Sequence, residues 1–215
     1  MVNFPSSILN DYWKTRLELV GAPEYFLDVK RITFSNLVDI CMNHDISELK
    51  KLIDELSIGN FLIIENVLSS EDIETIKLET NQLEINEPES FHQILEGVKN
   101  FWRNITEDLG AKYAVPQVKC TSYWFPWDES SKIMYGKLEL IYRCLKALGG
   151  KSPNAFENNT PKDGPVDRIQ IVKYFPGTGK LNAHQDPDHN QRLIMSGYMS
   201  KIGIDFLGGG VLGIK

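Results

Sequence analysis

Residues 167–187 constrain the fold more than any other part of the chain. Arg168-Ile169-Gln170-Ile171-Val172-Lys173-Tyr174-Phe175 alternates and is rich in β-branched and aromatic residues, which predicts a strand. Pro176-Gly177-Thr178-Gly179 is a turn, and the chain re-emerges at Lys180-Leu181 just ahead of His184-Gln185-Asp186. In an extended strand, residues two apart share a face, so His184 and Asp186 can aim at one point in space. An imidazole nitrogen and a carboxylate oxygen so placed are two of the three protein ligands of a 2-His-1-carboxylate metal site. The competing reading is a solvated loop histidine beside a turn aspartate. Four histidines among 29 acidic residues produce a His-x-acid spacing easily by chance, so the flanking residues must decide.

Those flanks form a composite pattern. Tyr174-x-x-Gly177-x-x-x-Leu181-x-x-His184-x-Asp186 is followed by a strand candidate at Arg192 to Ser200, another at Ile204 to Leu207, and then Gly208-Gly209-Gly210. This resembles the front half of the Fe(II)/2-oxoglutarate-dependent oxygenase core, in particular its prolyl-hydroxylase-like branch. The resemblance implies an α+β chain with a mainly β core, a double-stranded β-helix or cupin-like jelly roll, flanked by N-terminal helices. It implies His184 and Asp186 as Fe(II) ligands, with 2-oxoglutarate as cosubstrate and hydroxylation of a small molecule or a protein side chain as the outcome. Tyr174 and Tyr198 match places where such proteins often put a tyrosine near the cosubstrate, and either phenol could donate a hydrogen bond to its distal carboxylate. Half-buried strand aromatics account for both equally well.

The resemblance stops short of a complete site. The second histidine ligand and the Arg or Lys that pairs with the cosubstrate tail belong several strands after the Gly-rich turn, where this sequence ends. His44 and His92 precede the core, and His189 sits in the turn Pro187-Asp188-His189-Asn190, too close to His184 for facial geometry. The expectation is a fragment or truncated form: one domain over 1–215, with a helical part over 1–58 and an oxygenase-like core over 59–215 that lacks its last strands. Half a jelly roll leaves sheet edges unpaired, so poor folding or self-association through those edges is expected, with weak iron binding and no turnover.

A net charge of -6 disfavours nucleic acid and anionic membranes as default partners and favours a small-molecule or protein substrate. Cys41, Cys120 and Cys144 are odd in number and lack Cys-x-x-Cys spacing, which suggests neither a disulfide framework nor a zinc ribbon and fits a reducing cytoplasm. No basic n-region leads into an apolar h-region, and no apolar run is long enough to span a bilayer.

Ahead of the central stretch the pattern is helical. Ile8, Tyr12, Trp13, Leu17 and Val20 predict a helix stopped at Gly21-Ala22-Pro23, and Phe34, Leu37, Val38 and Cys41 predict a short second one. Asp45-Ile46-Ser47-Glu48 is a capping box opening a helix that ends at Gly59-Asn60. Phe61-Leu62-Ile63-Ile64 reads as a buried strand, and Ser69 as the cap of the helix after it. Ser90 with Gln93 forms a further box before Phe91, Ile94, Leu95, Val98, Phe101, Trp102, Ile105 and Leu109, which predicts an amphipathic helix lying on the sheet. Another helix is expected from about Ser131 to Leu148, stopped by Gly149-Gly150, with a surface loop over 154–165. Between them, Tyr123-Trp124-Phe125-Pro126-Trp127 reads first as core and second as a pocket wall.

Two phosphate motifs fail. Gly177-Thr178-Gly179-Lys180 has Tyr174 at the first required glycine of a P-loop and Leu181 after the lysine. Gly208-x-Gly210-x-x-Gly213 has no room for the helix a dinucleotide fingerprint needs. Two other rival readings stay open: a jelly-roll binding protein without catalysis, and a zinc or manganese enzyme built on His184, Asp186, Asp188 and His189.

Overall fold

A computed structural model describes residues 4–21, 27–184 and 192–207. Among them are six α-helices: α1 (Ser6–Val20), α2 (Phe34–Met42), α3 (Ile46–Ser57), α4 (Ser70–Asn86), α5 (Glu107–Gly110) and α6 (Lys132–Leu148). The strands are β1 (Val29–Thr33), β2 (Phe61–Glu65), β3 (Phe101–Ile105), β4 (Gln117–Trp124), β5 (Ile169–Lys173) and β6 (Lys180–Leu181). The chain is therefore α+β, with more residues in helix than in strand. No closed barrel forms among the described residues, and a four-stranded antiparallel sheet is the largest β unit.

The helix starts follow from their caps. Thr33 accepts from the Asn36 amide, Asp45 from the Glu48 amide, and Ser69 exchanges bonds with Asp72 in a full capping box. Helix α1 ends where Gly21 takes φ 73° and returns its N–H to the Leu17 carbonyl. Leu9, Trp13, Leu37, Cys41, Leu49, Ile53, Ile141, Cys144, Ala147 and Leu148 join α1, α2, α3 and α6 into one apolar cluster. Against its rim lies a two-stranded parallel sheet of β1 and β2, paired from Val29↔Phe61 to Thr33↔Glu65. Gly150, at φ 79°, ends α6 so close to α1 that a Cβ there would meet the Asn10 backbone nitrogen at 3.1 Å.

Strand β4 is the axis of the larger sheet. On one edge it pairs with β3, from Phe101↔Tyr123 to Ile105↔Lys119. On the other it pairs with β5 (Cys120↔Lys173 to Trp124↔Ile169) and, further along, with β6 (Val118↔Lys180, Gln117↔Leu181). Both run antiparallel to β4 along the same edge, so 174–179 is a looped-out insertion in one interrupted strand and not a reversal. Two-residue alternation gives the sheet two faces. Trp124 and Ile169 pack with Ile76, Leu83 and Met134 on the side covered by α4 and α6, and Ile171 and Tyr142 border that cluster. Phe101, Arg103, Lys119, Thr121, Tyr123 and Arg168 share the opposite face by register.

Three expectations are corrected. Residues 91–109 do not form a helix; 91–100 is an irregular loop and Phe101–Ile105 is strand β3. Phe101 and Ile105, four apart, satisfy a helical stripe and a two-residue alternation equally, and the edge of β4 decides between them. Gly97 at φ 73° interrupts any helix there. The sheet's helical cover comes instead from α4 and α6.

Residues 192–207 form no ladder either, apart from an isolated bridge between Ile202 and Phe206. Three side chains near the start of this segment go to the helices instead. Arg192 donates to the Gly149 carbonyl and to Asn10 Oδ1, both at 3.1 Å, and Leu193 and Met195 pack on the helical cluster. Lastly, β6 is only two residues long, and His184 lies beyond it in irregular backbone instead of within a strand.

Candidate functional site

The looped-out segment is held by its glycines. Gly177 has φ 77°, and Gly179 donates its N–H to the Phe175 carbonyl at 2.8 Å. A Cβ on Gly179 would lie 2.7 Å from the Phe175 nitrogen and 2.8 Å from Tyr174 Cβ, so only glycine closes this loop. Beyond it, the Asn182 amide donates to the Pro116 carbonyl at 3.0 Å, continuing the register one step past β6. Because β6 follows the loop, the Gly-Thr-Gly-Lys segment opens no helix and offers no phosphate cradle.

His184 is exposed, and its Nδ1 lies 2.9 Å from the Asn182 carbonyl oxygen. A carbonyl can only accept, so Nδ1 carries a proton, and the nitrogen left for a metal is Nε2. That is the second-sphere bond found at ligating histidines. Asp186, the other expected ligand, lies outside the described residues, as do Asp188 and His189 of the rival zinc or manganese cluster. Among the described residues, no three His, Cys, Asp or Glu side chains converge on one point. Of the two expected ligands, only His184 lies among the described residues.

Tyr174 and Tyr198 are 50% and 61% exposed, which leaves both phenols within reach of a ligand. Partial burial raises the Tyr174 phenol above its ordinary value, and the neighbouring Tyr198 adds to the shift. Residues 24 apart in sequence are thereby brought into electrostatic contact. Lys119, only 7% exposed, sits on β4 opposite the looped-out segment, between the β5 and β6 pairings. Sequence reasoning passed over it, although the alternation of 117–123 could have placed it on the face of Tyr123.

Further along that face the loop 91–100 lies over aromatic residues. Asn100 anchors the loop: its amide N–H donates to Asp128, its Nδ2 to Ser130 and Ser131, and its Oδ1 accepts from the Phe125 amide. Trp127 Nε1 donates to the Val98 carbonyl at 2.7 Å. Phe125 is fully buried and stacks on Trp127 with ring centroids 4.9 Å apart, so the aromatic cluster is partly core. Tyr123 instead lines a pocket of about 320 Å³ with Phe91, His92, Ile94, Phe101 and Arg168. Burial pushes the Tyr123 phenol up, and the Arg168 guanidinium pulls against that shift.

No protein-family model matches the chain, and neither a curated protein nor a solved structure is significantly similar to it. Among the described residues, no helix is long and apolar enough to cross a membrane.

Proposed function

We propose that the chain carries the metal-binding front of a Fe(II)/2-oxoglutarate-dependent dioxygenase site, with His184 and Asp186 as iron ligands and Tyr174 and Tyr198 beside the cosubstrate. The observation that carries this reading is the His184 imidazole, oriented through Nδ1 by the Asn182 carbonyl at 2.9 Å, which assigns metal ligation to Nε2. The tyrosine pair supports it, since two exposed phenols near enough to influence each other electrostatically can donate to one carboxylate. The double-stranded β-helix remains part of the proposal, with β3, β4 and β5 as one of its sheets. Iron and the oxo acid would supply oxidative chemistry, and this chain's own groups would hold and orient the ligands. The substrate class is a small molecule or a protein side chain. The second reading, a jelly-roll-like binding protein without turnover, draws on the pocket under Tyr123, which needs no metal to hold a ligand.

Anaerobic titration with Fe(II) and 2-oxoglutarate separates the two readings. The expected result is a weak visible charge-transfer band that His184→Ala and Asp186→Ala each abolish. A natively folded protein that shows no band at saturating iron and oxo acid rejects the dioxygenase reading.

A further inference from the structure

The pocket on the loop-covered face has the composition of a ligand site in its own right. Phe101 and Tyr123 are directly paired across β3 and β4, with ring centroids 4.8 Å apart and planes inclined by 31°. They pack against each other as one aromatic wall of the pocket, and the His92 ring meets Phe101 edge-on at 5.2 Å. Arg168 stands over the Tyr123 ring, its guanidinium carbon 5.1 Å from the centroid, while Arg103 stacks on Phe91 at 4.2 Å.

The partners of these two arginines decide the matter. The chain carries 29 acidic side chains, yet among the described residues neither Arg103 nor Arg168 forms an ion pair. The nearby carboxylates are engaged elsewhere: Glu89 accepts from the Asn104 amide, and Glu96 faces Lys162. A guanidinium stacked on a ring keeps its N–H edge available for a two-pronged bond to a carboxylate, and the stacking fixes its orientation beforehand.

We propose that this pocket binds a small organic carboxylate with an apolar body, the body packing against Phe91, Ile94 and Tyr123 and the carboxylate meeting Arg168. The volume of about 320 Å³ suits a ligand of that size. The site is separate from the His184 region, because Gln117 pairs with Leu181 at one end of β4 while Tyr123 stands near the other. At a rise of ~3.4 Å per residue, those two positions on β4 are about 20 Å apart.

Titration calorimetry with phenylacetate, on the 215-residue protein without added metal, tests the proposal. Phenylacetate should bind at least about tenfold more tightly than either acetate or phenylacetamide, each of which lacks one half of the ligand. Arg168→Gln should lose a similar factor while its ligand-free melting temperature stays near wild type, and His184→Ala should bind phenylacetate unchanged. Equal binding of phenylacetamide, or an unaltered affinity in a folded Arg168→Gln protein, would overturn the assignment. So would no binding at roughly 10 mM, or displacement of phenylacetate by equal concentrations of inorganic phosphate or 2-oxoglutarate. The amide comparison uses wild-type protein only, so it holds even where the variant fails to fold. Failure of the iron titration leaves this result untouched.

Discussion

The two faces of the four-stranded sheet are built from the same strands and serve opposite ends. Toward α4 and α6, Trp124, Ile169, Ile76 and Met134 are all 2% exposed or less, and Tyr135 and Tyr142 donate to the Asp167 and Arg168 carbonyls, while among the described residues the buried Trp124 Nε1 finds no hydrogen-bond acceptor. Lys173 meets Glu84 on α4 on the same side. Toward the loop 91–100, Arg103, Tyr123 and Arg168 are half-buried, and the two arginines rest on aromatic rings instead of on carboxylates. A face covered by helices can be closed with apolar contact alone. A face covered by an irregular loop keeps gaps and unpaired charge, which is where ligands find room.

The largest test of this contrast is a pair of truncations at adjacent positions. Trp124→Ala, on the helix-covered face, should cost about 4 kcal/mol in chemical denaturation, whereas Tyr123→Ala, on the loop-covered face, should cost roughly a third of that. Equal losses would mean that the faces are equally well packed.

Next in size is the ion pair beside the helix-covered face. Lys146, 7% exposed, donates to Asp167 and to the Ala155 carbonyl, both at 2.7 Å, and burial raises the Asp167 carboxyl above its usual range against the pull of Lys146. Lys146→Met strands that carboxylate and should cost about 3 kcal/mol at pH 7. Adding Asp167→Asn should recover most of the loss; no recovery would mean that the lysine contributes packing and not charge.

Gly179→Ala should cost about 2 kcal/mol, because its Cβ would press on the Phe175 backbone and the looped-out segment must shift. It should also change the environment of Tyr174, visible in the tyrosine absorbance titration, and leave Trp124 fluorescence alone. A changed Trp124 signal would show that the two faces are coupled through β5.

The smallest effect is one of pH. Lys137 and Ser69 hold the Asp72 carboxyl down at about 2, against an ordinary value of 3.8. A depressed carboxyl gives stability that is fully present above the unfolded value and is lost as pH falls from about 4 toward 2. Melting temperatures across that window should fall less steeply in Asp72→Asn. An identical slope would remove the capping box from the account of how α4 is fixed over the sheet.

Much of the helical framework was legible in the sequence because local rules governed it. The stripes at 8–20 and 34–41, the caps at Asp45 and Ser69, and the stop at Gly149-Gly150 each have a cause within one turn of the chain. The strand at 91–109 was hidden, since Phe101 and Ile105 fit both periods until β4 is there to pair with them. Strand β1 was hidden too: Val29–Thr33 has a weak pattern of its own and depends on β2 for its pairing. Of the candidate site, the His184 ring orientation could not be read from sequence, because it depends on the Asn182 carbonyl lying within 2.9 Å. The same holds for Arg168 and Tyr123, which are 45 residues apart and meet only across a strand pair.

The sequence by itself determined where α1, α2, α3 and α6 lie and where α4 begins, that 169–173 is a strand, and that 176–179 must turn, since backbone preferences and capping act over a few residues. Tertiary structure alone decided that this turn bulges out of one strand instead of reversing it, that 101–105 joins a sheet, and which face keeps its arginines unpaired. Those choices depend on partners distant along the chain, whose hydrogen bonds and buried surface outweigh any local preference.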